Sequence, residues 1–238
     1  MVVNTVGFDF FGTLVDHIAD RDVCILSMYK HLQKRGYKIS YDDFRVNYQA
    51  VAIEQSKFRY ETLREVNNCI WVANTLKRMG IKVEAYSPDI SSAVENYFNP
   101  WKLVIFPDTK MVLERLKEDF KISLVSNFTD SAFLRRSLSK VGIEKFFDHI
   151  IDSDAVGWRK PHPNIFKHFL RVSGVKAEEA IFIGDDLETD IKGAKDSGIR
   201  AVLLSRAGHP VNRRREVCPD RIVSSLTEFG ELLITGRI

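Results

Sequence analysis

The feature that most constrains this chain is a series of short, largely apolar runs that each stop at a polar residue. Residues 2–8 form one and end at Asp9; others lie at 122–126, 149–152, 181–184, 201–204 and 221–223. The stretches between them have helical periodicity. Val112, Leu113, Leu116 and Phe120 share a face, as do Ile165, Phe166, Phe169 and Leu170. A Ser225-x-x-Glu228 capping box opens a last helix with Leu226, Phe229 and Leu233 on one side. Strands that are apolar on both faces and alternate with helices predict an α/β fold, its parallel sheet covered on both sides.

Residues 16–100 interrupt this alternation. They contain no convincing strand, and four helical patterns fit them. Ile25, Tyr29 and Leu32 recur at helical spacing before Gly36, and Ser40 with Asp43 suggests a capping box ahead of Phe44, Tyr48 and Val51. Leu63, Val66 and Ile70 continue a helical face towards Gly80, and Ser87-Pro88 opens a helix carrying Ile90, Val94 and Tyr97. The expected organisation is a core of residues 1–15 and 101–238, interrupted by an all-helical insert at 16–100.

Composition removes several function classes. With 238 residues, 45% of them hydrophobic and 28% charged, the chain can bury a core without disulfides or a structural metal. The formal net charge of +3 comes from interspersed residues, and the one dense cluster, Arg213-Arg214-Arg215, runs straight into Glu216. It reads as a solvated turn, so no nucleic-acid partner is expected. Cys24, Cys69 and Cys218 are widely spaced and odd in number, which suits a reducing compartment better than a disulfide framework. The N-terminus does not read as a signal peptide, and no stretch approaches the ~18 apolar residues of a membrane span. The expectation is a cytoplasmic protein, monomer or homodimer, with no membrane partner.

In an open parallel sheet, ligands bind beyond the carboxyl ends of the strands. Asp9-Phe10-Phe11-Gly12-Thr13-Leu14, Ser126-Asn127 and the segment from Gly184-Asp185-Asp186 to Asp190 all fall at such ends. Lys160 precedes Pro161-His162-Pro163, which fixes the backbone just before a helix. A carboxylate leaving a strand into Gly-Thr suits a nucleophile or a metal ligand. A hydroxyl and an amide can donate to an anion, and a positioned lysine is a point charge for phosphate or carboxylate. Carboxylates as close as Asp185, Asp186 and Asp190 repel unless a cation balances them, and hard oxygen donors favour Mg²⁺.

These four motifs, in this order, resemble those of the haloacid dehalogenase (HAD) superfamily of hydrolases, and Gly193-Ala194 and Gly198 fit the pattern usual just downstream of its fourth motif. The resemblance covers residues 1–15 and about 101–238. It implies a three-layer, Rossmann-like core with residues 16–100 as a helical cap. It further implies that Asp9 is a nucleophile forming a covalent aspartyl intermediate. Mg²⁺ would be held by the Asp9 and Asp185 carboxylates and the Phe11 carbonyl. Asp186 and Asp190 would orient metal-bound water or Lys160. Gly12, Thr13, Ser126, Asn127 and Lys160 would bind a small anionic substrate, with Ser126 and Lys160 also serving the chemistry.

The chain departs from the family's phosphatases at one position. The residue two after the nucleophile is usually an acid that protonates the leaving group; here it is Phe11, which transfers no proton. The family's 2-haloacid dehalogenases carry an aromatic residue there, need no metal and lack the paired carboxylates of the fourth motif. They also tend to have Tyr six residues after the lysine, where this chain has Phe166. Phe11 therefore leans towards a dehalogenase, and Gly184-Asp185-Asp186 towards an Mg²⁺-dependent phosphatase, the reading expected to prevail. A weakly active or non-catalytic binding protein remains the third alternative. Phe11 raises two expectations: a substrate with a good leaving group, or a proton supplied by His17. Within the insert, Arg21, Lys57, Arg59 and Arg64 are either contacts for an anionic tail or a solvated helix face.

Overall fold

A computed structural model of the chain describes residues 3–206 and 217–238. The Arg213-Arg214-Arg215 cluster lies outside the described residues. Strands β1 (Thr5–Phe8), β4 (Lys121–Ser126), β5 (His149–Asp152), β6 (Ala180–Gly184), β7 (Arg200–Leu204) and β8 (Arg221–Val223) form one sheet in the order β5-β4-β1-β6-β7-β8. All five pairings are parallel. The α/β, parallel-sheet architecture expected from the alternating runs is what the chain adopts.

The strands are apolar throughout because both faces are covered. Val6, Phe8, Ile122, Leu124, Ile181 and Ile183 point into one cluster with Leu113, Leu116, Leu138 and Phe229. These partners come from α5 (Thr109–Leu116), α6 (Ser131–Val141) and α10 (Leu226–Ile234). Val125, Ile151, Phe182, Ala201 and Leu203 point the other way, into a cluster with Ile165, Phe166, Phe169 and Ala194. That layer comes from α8 (Pro163–Ser173) and α9 (Lys192–Asp196), and the one-turn helix α7 (Ser153–Val156) follows β5. The chain builds the sheet outwards through β4 and β5, then crosses back past β1 to β6. The carboxyl tips of β1, β4 and β6 therefore meet at a topological switch point.

Between the core's first strand and α5 lie α1 (Arg21–Lys34), α2 (Tyr41–Thr62), α3 (Asn68–Arg78) and α4 (Pro88–Phe98). Asp20 caps α1 through Asp22 N and Val23 N, Ser40 caps α2 through Asp43 N, and Pro88 occupies the first turn of α4. Two expectations need correction. Residues just past 15 do contain a strand: β2 (Val15–Ile18) pairs antiparallel with β3 (Lys102–Ile105) in a two-stranded ribbon. β2 buries only Val15 and carries Asp16 and His17, so no apolar run announced it, and the apolar Leu103 and Ile105 opposite it in β3 are only partly buried. Leu63, Val66 and Ile70 also do not share one helix. Leu63 ends α2 in the left-handed region, φ 56°, and α3 restarts with Asn67 accepting from Cys69 N at 2.8 Å. Among the described residues no helix is long and apolar enough to cross a membrane.

Candidate active site

Asp9 leaves β1 with its backbone N–H donating to Ile183 O at 3.0 Å, so the turn after β1 is held against β6. Gly12 then takes φ +81°, where a side chain is strained. It also has no room for one. A Cβ on Gly12 would lie 2.2 Å from Asp185 Oδ2, so the absence of a side chain is what lets the Asp185 carboxylate approach the turn. Thr13 is fully buried, with its hydroxyl 3.4 Å from Asp9 Oδ2 and 3.3 Å from Asp185 Oδ1. Gly184 plays the equivalent part at the end of β6, where a Cβ would come within 2.3 Å of Asp190 Oδ2.

Lys160 is the counter-charge. Its side chain is 1% exposed, and Nζ lies 2.6 Å from Asp9 Oδ1 and 2.6 Å from Asp190 Oδ1. Burial disfavours an ammonium, but Asp190 and Asp9 outweigh it and push the Lys160 pKa up to about 12. The lysine's backbone is clamped by one side chain. Lys160 N donates to Asn127 Oδ1 at 2.7 Å, and Asn127 Nδ2 donates to Lys160 O at 2.9 Å. Asn127 thus meets the lysine through its mount, and Ser126 sits buried at the tip of β4 beside it.

The carboxylates that converge are Asp9, Asp185 and Asp190, each with an oxygen within 4.8 Å of the others'. Burial, followed by the nearby Asp9 charge, raises the Asp185 pKa from its ordinary 3.8 to about 7. Asp190, fully enclosed, is raised as well, again first by burial. Three carboxylates against one ammonium leave an excess of negative charge, and the donors are all hard oxygens. This donor set fits a divalent cation such as Mg²⁺. Asp186 stands apart. Its Oδ1 accepts from Glu188 N at 2.9 Å, Thr189 N at 2.7 Å and Thr189 Oγ1 at 3.0 Å, capping the turn Leu187–Ile191. The partner of Lys160 is Asp190, not Asp186.

Phe11 belongs to an aromatic layer. Its ring lies 4.7 Å from Phe10, 5.0 Å from His17, 5.5 Å from Phe128 and 5.9 Å from Trp101, centroid to centroid. His17 stacks on Trp101 at 4.3 Å, and partial burial lowers its pKa. Phe166, where a Tyr was the alternative, is buried under Gly193 and packs edge-on against Phe182 at 5.3 Å. Two groups near the site had no sequence signal of their own. Arg206 donates to Thr13 O at 3.1 Å and pairs with Asp108 at 2.9 Å, tying the turn after β1 to the start of α5. Its guanidinium, with the Leu226 N–H, outweighs burial and holds the Asp108 pKa below its ordinary value. The second group is Glu65, reached from the helical block.

Comparison with known proteins places this geometry. The sequence model of haloacid dehalogenase-like hydrolases matches residues 6–204. The chain is 26% identical to N-acylneuraminate-9-phosphatase of Mus musculus over 239 residues, covering 97% of this chain and 94% of that protein. It is 27% identical to glyceraldehyde 3-phosphate phosphatase of Pyrococcus furiosus over 238 residues, covering 97% and 93%. Among solved structures, a 2-haloacid dehalogenase from Pseudomonas syringae superposes with a TM-score of 0.71 at 20% identity, over 99% of this chain and 100% of that one. That identity carries the fold alone. The chain belongs to the haloacid dehalogenase-like hydrolase family.

Proposed function

We propose that this hydrolase is an Mg²⁺-dependent phosphatase of small phosphorylated metabolites, with Asp9 as the nucleophile and α1–α4 as a cap over the site. The observation that carries the reading is the charge balance at the strand tips. Asp9, Asp185 and Asp190 bring oxygens within 4.8 Å of one another, and the buried Lys160 ammonium pairs with two of them, Asp9 and Asp190. A site for a monoanionic haloacid has no use for that excess of carboxylate, whereas a bound cation and a phosphoryl group do. The full-length likeness to two phosphatases supports the same choice.

In this reading Lys160 donates to Asp9 Oδ1 and orients the carboxylate. An Asp9 oxygen attacks phosphorus, the bond from phosphorus to the leaving oxygen breaks, and an aspartyl phosphate remains on Asp9. Water then attacks phosphorus, inorganic phosphate departs, and the carboxylate is restored. Mg²⁺ held by Asp9, Asp185 and the Phe11 carbonyl would supply the positive charge that lets an anionic nucleophile meet an anionic phosphoryl group. Ser126 and Asn127 border the phosphoryl position, and Asp190 fixes the Lys160 ammonium from the far side. Phe11 gives no proton, so the leaving group departs unaided, as an aryl or acyl phosphate allows.

One observation favours a second reading: the aromatic residue at position 11 suits departure of a halide, which needs no acid. The two are separated by measuring phosphate release from a panel of aryl, acyl and alkyl phosphates with Mg²⁺ or EDTA, beside halide release from 2-chloropropionate. Phosphate release that stops with EDTA is the expected result. Metal-independent halide release, with no phosphate release, would overturn the proposal.

A further inference from the structure

The helical block reaches the mount of Lys160 through main-chain pairing. The chain between α2 and α3 pairs with the segment just before the lysine: Arg159 N donates to Leu63 O at 2.9 Å, and Glu65 N donates to Gly157 O at 3.1 Å. These bonds flank an antiparallel bridge between Arg64 and Trp158. The Arg64 guanidinium lies 3.9 Å over the Trp158 ring, which itself stacks on His162.

Glu65 goes further into the core. Its side chain is 1% exposed, so a carboxylate has been taken out of water and its neighbours must offset the lost hydration. It ion-pairs with Arg159, accepts from the Ser153 hydroxyl, and stands 3.6 Å from Arg59, whose guanidinium lies 4.4 Å over the Trp71 ring. Ser153 Oγ in turn accepts from Phe128 N at 2.9 Å and lies 3.0 Å from Phe128 O. Arg159 precedes Lys160, and Phe128 follows Asn127, the residue that clamps the Lys160 backbone from both sides. One carboxylate from the insert therefore ties together the two core segments that hold the lysine.

We infer that Glu65 is a positioning residue: the aim of Lys160 at Asp9 and Asp190 is set only while the α2–α3 connection is docked, so docking of the helical block and completion of the site are one event. The inference rests on the reading of Lys160 as the lysine that serves the chemistry. Its physical half, the dependence of the lysine segment on Glu65, does not.

The test uses the full-length protein and the variant Glu65→Gln, which keeps the shape and removes the charge. Hydrogen exchange at the Arg159 and Lys160 amides, measured without substrate, is expected to speed up about 10-fold or more while the amides of β1 and β6 stay protected. On an aryl phosphate, kcat/KM is expected to fall roughly 10- to 100-fold, the range a slight misplacement of a reacting group produces. In a Lys160→Ala background the same substitution should change the residual rate less than about 2-fold, because a residue acting through Lys160 has nothing left to position. If Glu65→Gln fails to fold, Ser153→Ala removes one of the two ties and should show the same selective exchange. Exchange at Arg159 and Lys160 unchanged from wild type would overturn the docking role. An equal loss of rate with and without Lys160 would overturn the route through the lysine. Altered exchange with no phosphate hydrolysis in any form would leave the docking intact and sink the functional reading instead.

Discussion

Replacing Asp185 by Asn should make the metal-free protein more stable, and the effect should depend on pH. Asp185 is pressed against the turn at Gly12 and lies beside Asp9, and its pKa rises from 3.8 to about 7. Above pH 4 the unfolded chain has lost this proton, while the folded chain keeps it until about 7. The folded state thus binds the extra proton, and stability falls as pH rises, by about 1.4 kcal/mol per pH unit from this group. The contribution is full below pH 4 and gone above about 7, so the whole gap is on the order of 4 kcal/mol. Asn in the same place keeps the shape and has nothing to ionise. Urea denaturation of wild type and Asp185→Asn in EDTA, at steps from pH 4 to pH 8.5, should give curves that nearly meet at the acid end. They should separate by a few kcal/mol at the alkaline end, with the variant more stable. Mg²⁺ should reverse the order at pH 8 by stabilising wild type alone, and should gain less at pH 5, where protons compete for the same oxygens. Parallel curves in EDTA, or a variant less stable than wild type at pH 8, would refute the account of this carboxylate as an uncompensated buried charge.

Three further outcomes bear on the site. Asp9→Asn should abolish phosphate release while leaving the fold intact by circular dichroism, since Lys160 keeps its ion pair to Asp190. Gly12→Ala should cost about 1–3 kcal/mol of stability in thermal unfolding, because it adds left-handed strain to a Cβ placed 2.2 Å from Asp185 Oδ2. It should also weaken Mg²⁺ binding, measured by calorimetry. Phe11→Asp should lose about 2–4 kcal/mol of packing and yet raise turnover of alkyl phosphates relative to aryl phosphates; an unchanged ratio would show that no acid is missing.

The strand tips were legible because each is a physical compromise written in sequence. A strand buried on both faces needs an uninterrupted apolar run, and the run must stop where the ligand begins, so Asp9, Ser126 and Asp185 each follow one. The Thr13 hydroxyl and the Gly12 turn were legible for the same reason: they sit within a few residues of the tip they serve. The ribbon of β2 and β3 was not, since β2 mixes Val15 and Ile18 with Asp16 and His17 and leaves no run or period to read. Nor was the choice between Asp186 and Asp190 as partner of Lys160. Both are carboxylates near the same tip, and which one turns inwards is decided by the Leu187–Ile191 turn, whose backbone amides claim Asp186. Glu65 lies still further from any local signal. Its pairing with Arg159 and Ser153 spans 94 and 88 residues of sequence, and a lone glutamate between two helices looks like any solvated residue until the chain is folded.

The same distinction bears on Phe11. Taken alone, it is a missing acid. In the fold it contacts Phe10, His17, Trp101 and Phe128, and the layer continues through Phe98, stacked on Phe133 at 4.3 Å. A carboxyl group placed among those rings would be desolvated on several sides, which raises its pKa and makes it a reluctant base for the second step. Restoring an acid by one substitution therefore supplies a proton donor in surroundings built for a hydrocarbon. If that apolar layer borders the leaving group in the proposed reaction, charge on the departing oxygen would be poorly solvated there unless it is already delocalised. Aryl and acyl phosphates would meet that condition through their own electronics, and a preference for them would follow from the whole aromatic layer rather than from the absence of one residue.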